Sequence, residues 1–307
     1  MKSVSVVVPV YYNEGSLSPL LVELLAVEDQ LRAADMGLEL IFVDDGSGDG
    51  SFNELMKIKH RRPATKIIKL TRNFGAIHAT KTGFQFVTGD CFMNLAADLQ
   101  DPPDLILRVV EKWKQGSKFV LAVRSHREDS TSTKLFAWFY YVLLRFFVVP
   151  DYPKGGFDLA LMDRALLPYL NNSGKNINTP LFAYWLGFKP DSIEYVRRRR
   201  EHGKSRWNFW KRLKLFIDAI LGFSIVPIRM ISFIGVLVSL LSFAYGLVIL
   251  LNTLLGHGAV RGFATIVALI SFLLGIVIVM LGIIGEYLWR VFDETNKRPE
   301  AVIETIQ

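Results

Sequence analysis

The first 125 residues alternate between short apolar runs and longer stretches in which apolar residues recur at helical spacing. Five runs rich in β-branched residues predict buried strands, at residues 3–10, 38–43, 65–70, 91–95 and 119–123. Four segments with helical spacing lie between or beside them, at residues 17–34, 51–61, 76–87 and 103–115. This alternation predicts an α/β fold with a mostly parallel sheet and helices on both faces.

Two long stretches near the carboxyl end carry no charge. Asp, Glu, Lys and Arg are absent between Arg229 and Arg261 and again between Arg261 and Glu286. Each stretch exceeds the roughly 20 apolar residues that a spanning helix needs. We therefore predict a transmembrane hairpin over 229–289, with helices near 230–254 and 263–287. A buried core hairpin is the alternative.

Basic residues flank the predicted hairpin. Residues 197–214 carry many Lys and Arg but a single acid, Glu201, whereas the connecting loop has only Arg261. The positive-inside rule then places a soluble domain, 1–204, and a tail, 290–307, on the cytoplasmic side of a bacterial plasma membrane. A cytoplasmic domain also suits the single, unpaired cysteine, Cys91.

Two further segments are amphipathic and rich in aromatic residues, 135–149 and the juxtamembrane stretch 205–228. Each resembles a helix that lies in the membrane interface, with its apolar side toward lipid and its basic side toward headgroups. An ordinary core helix is the alternative for both. Segment 135–149 could also mediate a homo-oligomer.

Composition narrows the class of protein. The chain has 307 residues, of which 51% are hydrophobic, and a net charge of +7. Such hydrophobicity excludes a disordered chain, and one cysteine excludes a disulfide scaffold and disfavours a cysteine-based zinc site. The basic charge is concentrated beside the predicted spans, which argues against a nucleic-acid partner.

Polar clusters follow the first four predicted strands, where α/β sheets bind ligands. Val43-Asp44-Asp45-Gly46-Ser47 offers carboxylates that could accept bonds from a nucleobase or a ribose. The same residue types also form turns that cap helices, so a purely structural role is the alternative.

A second acidic cluster follows the fourth strand. Asp98 stands where a carboxylate can hold a divalent cation against a diphosphate, and Gln100 offers a second oxygen. Asp101, followed by Pro102 and Pro103, is predicted to cap the next helix.

Together these motifs resemble the membrane-bound polyprenyl-phosphate glycosyltransferases of glycosyltransferase family 2, a group that includes dolichol-phosphate mannose synthase and bactoprenol glucosyltransferases. The likeness covers nearly the whole chain. It is carried by five motifs and the hairpin: Val8-Pro9-Val10-Tyr11-Tyr12-Asn13-Glu14, Val43-Asp44-Asp45-Gly46-Ser47, Thr71-Arg72-Asn73-Phe74-Gly75, Ala97-Asp98-Leu99-Gln100-Asp101-Pro102-Pro103 and Gly203-Lys204-Ser205-Arg206. The resemblance implies a GT-A catalytic domain, which is Rossmann-like.

The resemblance also implies roles for individual residues. Those that would hold uridine and ribose are Pro9, Tyr11, Glu14, Asp44 and Asp45. Asp98 and Gln100 would bind Mg²⁺ or Mn²⁺ at the diphosphate. Asp158 matches an acidic residue beside the transferred sugar, which gives it a catalytic role together with Asp98.

Basic residues complete the implied site. Arg200, Ser205 and Arg206 match a mobile loop that closes over the donor phosphates. Arg124 and Arg127 resemble ligands of the acceptor phosphate. The run 197–200 has membrane anchoring as its alternative role.

The chain departs from the family pattern at the metal site. Members usually have Asp-x-Asp where this chain has Ala96-Ala97-Asp98, so the first carboxylate is absent. Either this branch works with one carboxylate, which we favour, or the chain is a disabled variant. The tandem Tyr11 and Tyr12 also add a residue, and either ring could fill the stacking role.

The expected reaction is transfer of a hexosyl group, glucose before others, from a UDP-sugar to undecaprenyl or another polyprenyl phosphate. A phosphomonoester has its second pKa near 6, so it is a good nucleophile without a strong base. Attack opposite UDP would invert the anomeric centre. The alternatives are a processive polysaccharide synthase, which generally needs more spans, and a non-catalytic membrane scaffold, which Ala96 keeps open.

Overall fold

The computed structural model describes residues 1–125, 141–146, 149–150, 152–153, 157–175, 177–198, 217–218, 220–255 and 262–307. The chain divides into two compact units. The first contains Met1–Gly222 together with Pro299–Gln307, and the second contains Phe223–Arg298. The first unit therefore includes chain from both sides of the two long helices.

The amino-terminal half of the first unit alternates strand and helix as predicted. Its elements are β1 (Lys2–Val10), α1 (Glu14–Ala33), β2 (Met36–Asp44), α2 (Ser51–Arg61), β3 (Lys66–Leu70), α3 (Ala76–Phe84), β4 (Cys91–Asn94), α4 (Leu105–Lys114) and β5 (Phe119–Arg124). Each predicted strand and helix is confirmed, with ends shifted by a few residues. Local patterning therefore specifies this half of the fold.

Three strands and two short helices were not predicted: β6 (Phe157–Asp163), α5 (Leu167–Asn171), α6 (Thr179–Trp185), β7 (Asp191–Tyr195) and β8 (Ile303–Ile306). In the described part of the chain, the sheet has the order β7-β5-β6-β4-β1-β2-β3-β8. Strands β4, β1, β2 and β3 are mutually parallel, and β5 is parallel to β7. Strands β6 and β8 run antiparallel to their neighbours.

Strand β1 shows why its second half, from Val6 to Val10, is a continuous apolar run. Val4, Val6 and Val8 belong to the core layer that includes helices α1, α2 and α4. Val7 points to the opposite layer, with Ala79 of α3. Both faces of this part of the strand are buried, so apolar residues occupy successive positions. Full burial of a side chain of this size contributes about 1.5–3 kcal/mol.

The second unit contains two long helices, α7 (Val226–Leu254) and α8 (Phe263–Thr295). At 1.5 Å per residue these are about 43 and 50 Å long, which is enough to cross a hydrocarbon layer of about 30 Å. Both have a stretch with a mean hydropathy of 2.2. Large apolar side chains stay exposed along them, as at Phe243 (75%).

Contacts within this unit join its helices. A side chain at Gly235 would come within 3.0 Å of Met280 Cε, so the glycine allows α7 to approach α8. The Tyr287 hydroxyl donates to the carbonyl of Ser224 at 3.0 Å. The predicted amphipathic segments 135–149 and 205–228 lie largely outside the described residues. Within them, residues 141–146, 217–218 and 220–223 are helical.

Candidate functional site

The candidate site lies at the carboxyl ends of four adjacent parallel strands. β1, β2, β3 and β4 end at Val10, Asp44, Leu70 and Asn94. Because these strands are parallel neighbours, the loops that follow them meet at one edge of the sheet. The four polar motifs identified in the sequence are therefore brought together by the fold.

Asp45 joins two of these loops. Its Oδ1 accepts a hydrogen bond from Phe74 N at 2.7 Å, and its Oδ2 accepts one from Gly75 N at 2.9 Å. Gly46 has φ +66°, and a side chain there would lie 2.5 Å from the carbonyl carbon of Arg72. Only glycine tolerates this backbone and this approach without strain. Asp45 and Gly46 thus fix the β3–α3 loop against the β2–α2 loop.

Asp44 has a different environment from its neighbour. Its side chain is fully buried at the end of β2, and Oδ1 accepts a hydrogen bond from Ser47 N at 3.2 Å. Its Oδ2 is buried and has no hydrogen-bond partner among the residues that the structure describes. Burial raises the pKa of Asp44, partly opposed by bonds from Ser47. A buried acceptor without a donor is costly, so this atom is suited to a donor supplied by a ligand.

The tyrosine pair sits on a strained turn after β1. Tyr12 has φ +57°, a left-handed conformation that is uncommon for a large residue. Its amide donates to Ser47 Oγ at 3.1 Å, and the Tyr11 amide donates to Asn13 Oδ1 at 3.0 Å. The two rings meet edge to face at 4.7 Å. Tyr12 is 40% exposed.

Glu14 and Pro9, which are also predicted to bind the nucleotide, make contacts within the fold. Glu14 Oε2 accepts a hydrogen bond from Gly50 N at 3.1 Å, at the N-terminal end of α2. Pro9 is half-buried within β1, opposite Val43 of β2. Both lie beside the tyrosine turn.

Asp98 lies in the loop after β4, which is held from α1. Ser16 Oγ donates to the carbonyl of Ala97 at 2.6 Å. Asp98 is 8% exposed, and its Oδ1 accepts a hydrogen bond from Gln100 N at 3.2 Å. Leu99 between them has φ +58°, a second strained position at this edge. Strained residues of this kind concentrate at functional sites.

The donor set at Asp98 suits a metal that is shared with a substrate. Among the described residues, His, Cys, Asp and Glu form no group of three that could hold a metal. One carboxylate and one amide oxygen cannot enclose a cation. Mg²⁺ nevertheless binds through one or two carboxylates together with substrate phosphates and water. Asp98 and Gln100 therefore fit a metal held jointly with a diphosphate.

The prediction that Asp101 caps α4 is wrong. The helix begins at Leu105, with Asp104 at its N-cap position. The carbonyls of Pro102 and Pro103 accept bonds from Leu105 N and Ile106 N, so the two prolines form a turn first. Asp101 instead accepts a 2.7 Å hydrogen bond from the Tyr195 hydroxyl, and Arg197 Nε lies 3.3 Å from the same oxygen.

This contact anchors the segment that follows β7. Arg198 N donates to the carbonyl of Gln100 at 2.8 Å, and Arg198 Nη1 contacts both carboxylate oxygens of Glu23 at 2.8 and 2.9 Å. The segment leads directly toward residues 199–206. Sequence reasoning missed Tyr195 and Arg198, because nothing local links them to residues a hundred positions earlier.

Strands β5 and β6 add two more predicted site residues to this edge. Arg124 ends β5 and pairs with Tyr195 of β7. Ala122 pairs with Leu159 and Val123 pairs with Phe157, so Asp158 is the extra residue of a β-bulge. β6 is antiparallel to β4, so its first residues lie beside the carboxyl end of that strand. Bulges often redirect a side chain next to an active site.

The structure thus gathers Asp44, Asp98, Arg124 and the backbone of Asp158 at one edge of the sheet. Arg127, Arg200, Ser205 and Arg206 lie outside the described residues. Their assignment stays a prediction.

Comparisons with known proteins agree with this architecture. Residues 5–167 match the model of glycosyl transferase family 2. The bactoprenol glucosyl transferase of Shigella phage SfX is 33% identical over 309 residues, which cover 98% of this chain and 99% of that protein.

Two solved structures share the fold. Glucosyl-3-phosphoglycerate synthase from Mycobacterium tuberculosis superposes with a TM-score of 0.52 at 18% identity, over 71% of this chain and 80% of that one. Mannosyltransferase PcManGT from Pyrobaculum calidifontis, solved with GDP-Man and Mn²⁺, gives 0.50 at 20% identity, over 70% and 62%. The predicted GT-A fold is confirmed. The chain is a glycosyltransferase and belongs to glycosyl transferase family 2.

Proposed function

We propose that the protein transfers a hexosyl group, glucose before others, from a UDP-sugar to a polyprenyl phosphate such as undecaprenyl phosphate, with inversion. One observation carries this proposal: the family 2 sheet edge and a hairpin long and apolar enough to span a bilayer occur in one chain. The relative named bactoprenol glucosyl transferase matches that chain over 98% of its length, so the similarity includes both parts.

Asp44 would bind the nucleoside. Its buried Oδ2 lacks a donor, and a base N–H or a ribose hydroxyl would supply one. Tyr11 or Tyr12 would stack on the base, with Pro9 and Glu14 beside them. Asp45 would support the site indirectly, by holding the β3–α3 loop, because both of its carboxylate oxygens already accept hydrogen bonds from backbone amides.

Asp98 and Gln100 would hold Mg²⁺ or Mn²⁺ against the donor diphosphate. The fold relative PcManGT was solved with Mn²⁺, which supports divalent metal use. A bound metal would offset the charge that develops on the leaving diphosphate. Arg200, Ser205 and Arg206 would contribute to the same charge balance, since arginine pairs well with phosphate oxygens.

Arg124 and Arg127 would hold the acceptor phosphate on the opposite side of the sugar. A phosphomonoester is largely dianionic near neutral pH, so it needs little help from a base. The harder task is to bring two anions together, and arginine side chains reduce their repulsion. Asp158, on the bulge of β6, would orient the sugar by accepting bonds from its hydroxyls.

The acceptor requires a membrane setting. Both chain segments that flank the hairpin belong to the first unit, so a spanning hairpin would begin and end on one side of the bilayer. The excess of basic residues before α7 favours the cytoplasmic side, with both termini there. Residues 135–149 and 205–228 would lie at the interface, where the lipid phosphate is found.

The test is transfer of radiolabel from a panel of nucleotide sugars, using purified full-length protein and undecaprenyl phosphate, with and without Mg²⁺. We expect label in a solvent-extractable lipid, with UDP-glucose the best donor and with dependence on the metal. Insoluble polymer would instead indicate a processive synthase. No product from any donor would indicate a scaffold.

A further inference from the structure

The carboxyl-terminal residues, Pro299–Gln307, form part of the first unit. After α8, the chain adds β8 to the free edge of β3. Ile67 and Gln307 exchange two backbone hydrogen bonds at 3.0 and 2.8 Å, and Thr71 N donates to the carbonyl of Val302 at 3.0 Å. Ala301 and Ile303 pack against the core layer that contains Ala79 and Phe84 of α3. These residues are therefore built into the sheet.

Glu300 forms a partly buried ion pair with Lys81 of α3. Lys81 is only 4% exposed, and its Nζ lies 2.6 Å from Glu300 Oε1. The same ammonium donates to the carbonyls of Ser173 at 3.2 Å and Gly174 at 3.0 Å. Three acceptors thus match its three N–H donors. Removal of the carboxylate would leave a buried cation short of its only charged partner among the described residues.

The carboxylate of Glu300 spans one turn of the helix. Its Oε2 lies 4.0 Å from His78 Nδ1, and His78 and Lys81 are three residues apart on the same face of α3. Burial raises the pKa of Glu300, but the contacts with His78 and Lys81 outweigh it and lower the pKa overall. The tail therefore presents a carboxylate to one face of this helix.

The start of α3 contacts the proposed nucleotide site. The amides of Phe74 and Gly75, at the start of α3, bind Asp45. A side chain at Gly83 would lie 2.3 Å from Val7 Cγ1, so α3 packs closely on β1. Glu300 and Asp45 thus hold the same helix.

We propose that Glu300 is a positioning residue for the nucleotide site: through Lys81 and His78 it sets the position of α3, and the start of α3 fixes Asp45 beside Asp44. The proposal rests on the proposed function, since it concerns the donor site of the same reaction. It also means that the site is complete only when the chain beyond the second long helix has docked.

The experiment compares Glu300→Gln with Glu304→Gln in the full-length protein. Glu304 lies on the same strand, where it pairs with Lys69 at 2.9 Å but is 45% exposed, so its loss should matter little. We expect Glu300→Gln to raise the KM for the donor by about fivefold or more, with kcat within about twofold of wild type. Glu304→Gln should leave both constants unchanged. An unchanged donor KM in a folded Glu300→Gln variant would overturn the proposal, whatever its Tm.

If Glu300→Gln fails to fold, His78→Ala tests the proposal instead, because this variant keeps the Lys81–Glu300 ion pair. A raised donor KM then supports the proposal, and an unchanged KM overturns it. Wild-type transfer tests the proposed function separately. If the wild type transfers no sugar, the variants are compared with the wild type by the Kd for a nucleoside diphosphate, measured by calorimetry. The nucleoside diphosphate used is the one that raises the wild-type Tm most.

Discussion

The carboxylate of Asp45 accepts the backbone amide of Gly75 at 2.9 Å, across 30 positions of sequence. Together with the bond to Phe74, this contact uses both oxygens of Asp45 within the protein. Its neighbour Asp44 keeps one buried oxygen that no group in the described part of the chain contacts by a hydrogen bond. Two adjacent aspartates of one motif therefore differ in their surroundings: both oxygens of Asp45 are used within the fold, whereas we propose that Asp44 binds a ligand.

Replacement of Asp45 should destabilise the first unit, which contains the sheet. Asp45→Ala leaves two amides without an acceptor, and each unsatisfied buried group costs about 1–3 kcal/mol. We expect the free energy of unfolding to fall by about 2–4 kcal/mol in urea titrations. A loss below about 0.5 kcal/mol would show that the two loops are held by other contacts.

Replacement of Asp44 should affect binding rather than folding. Asp44→Asn removes a buried charge whose Oδ2 has no partner, so we expect stability to stay equal or to rise. Affinity for the donor nucleotide should fall by about tenfold or more, since a bond to a charged group contributes about 1.5–3 kcal/mol. Calorimetry with UDP and a thermal melt on the same sample measure both. A variant that binds UDP as wild type does would remove Asp44 from the site.

The contrast between these residues shows how far sequence reasoning extends. Burial and periodicity are local properties, so β1 to β5 and their helices could be predicted. The motif also placed Asp44 and Asp45 correctly at a strand end. Which oxygen is already used depends on Phe74 and Gly75, and no local pattern specifies that pairing.

The missed elements have the same explanation. β8 is four residues long and follows the long apolar helix α8, and its partner β3 lies more than two hundred positions earlier. Asp101 resembles a helix cap in sequence, but Tyr195 approaches it from β7 and takes its Oδ1. Nonlocal partners of this kind decide the role of a polar residue and leave no periodic signal.

Removal of the Tyr195 hydroxyl should weaken the segment that leads to the predicted phosphate loop. Tyr195→Phe takes a 2.7 Å donor from the buried Asp101. We expect a loss of about 1–3 kcal/mol in the free energy of unfolding and a higher donor KM. Tyr169→Phe, at an exposed tyrosine, is the matched control. Equal behaviour of the two variants would contradict the anchoring role.

Stability at acid pH should depend on Glu28. Arg62 donates to both of its oxygens, at 2.9 and 2.8 Å, and this lowers the pKa of Glu28. A lowered pKa contributes stability above the unfolded value, near 4.3, and that contribution is lost as pH falls through the folded value. Glu28→Gln should therefore cost about 1–2 kcal/mol at pH 7 and progressively less below about pH 4. A difference that does not change between pH 7 and pH 3 would refute this assignment.

Metal dependence should reside at Asp98. Asp98→Asn is expected to lower transfer by about 10²-fold or more at saturating Mg²⁺, because the charge on the leaving diphosphate loses its counterpart. Asp104→Asn, at an exposed acid in the same loop, should leave the rate unchanged. EDTA should abolish wild-type transfer, and added Mg²⁺ or Mn²⁺ should restore it. Full activity of Asp98→Asn would exclude this carboxylate as the metal ligand.

The most direct measurement is structural analysis of the product made from UDP-glucose and undecaprenyl phosphate by the wild-type protein. Mass spectrometry of the extracted lipid should show one added hexosyl unit, and NMR should show a β-linked glucosyl phosphate. A polymer, an α-linkage or free glucose alone would contradict the account.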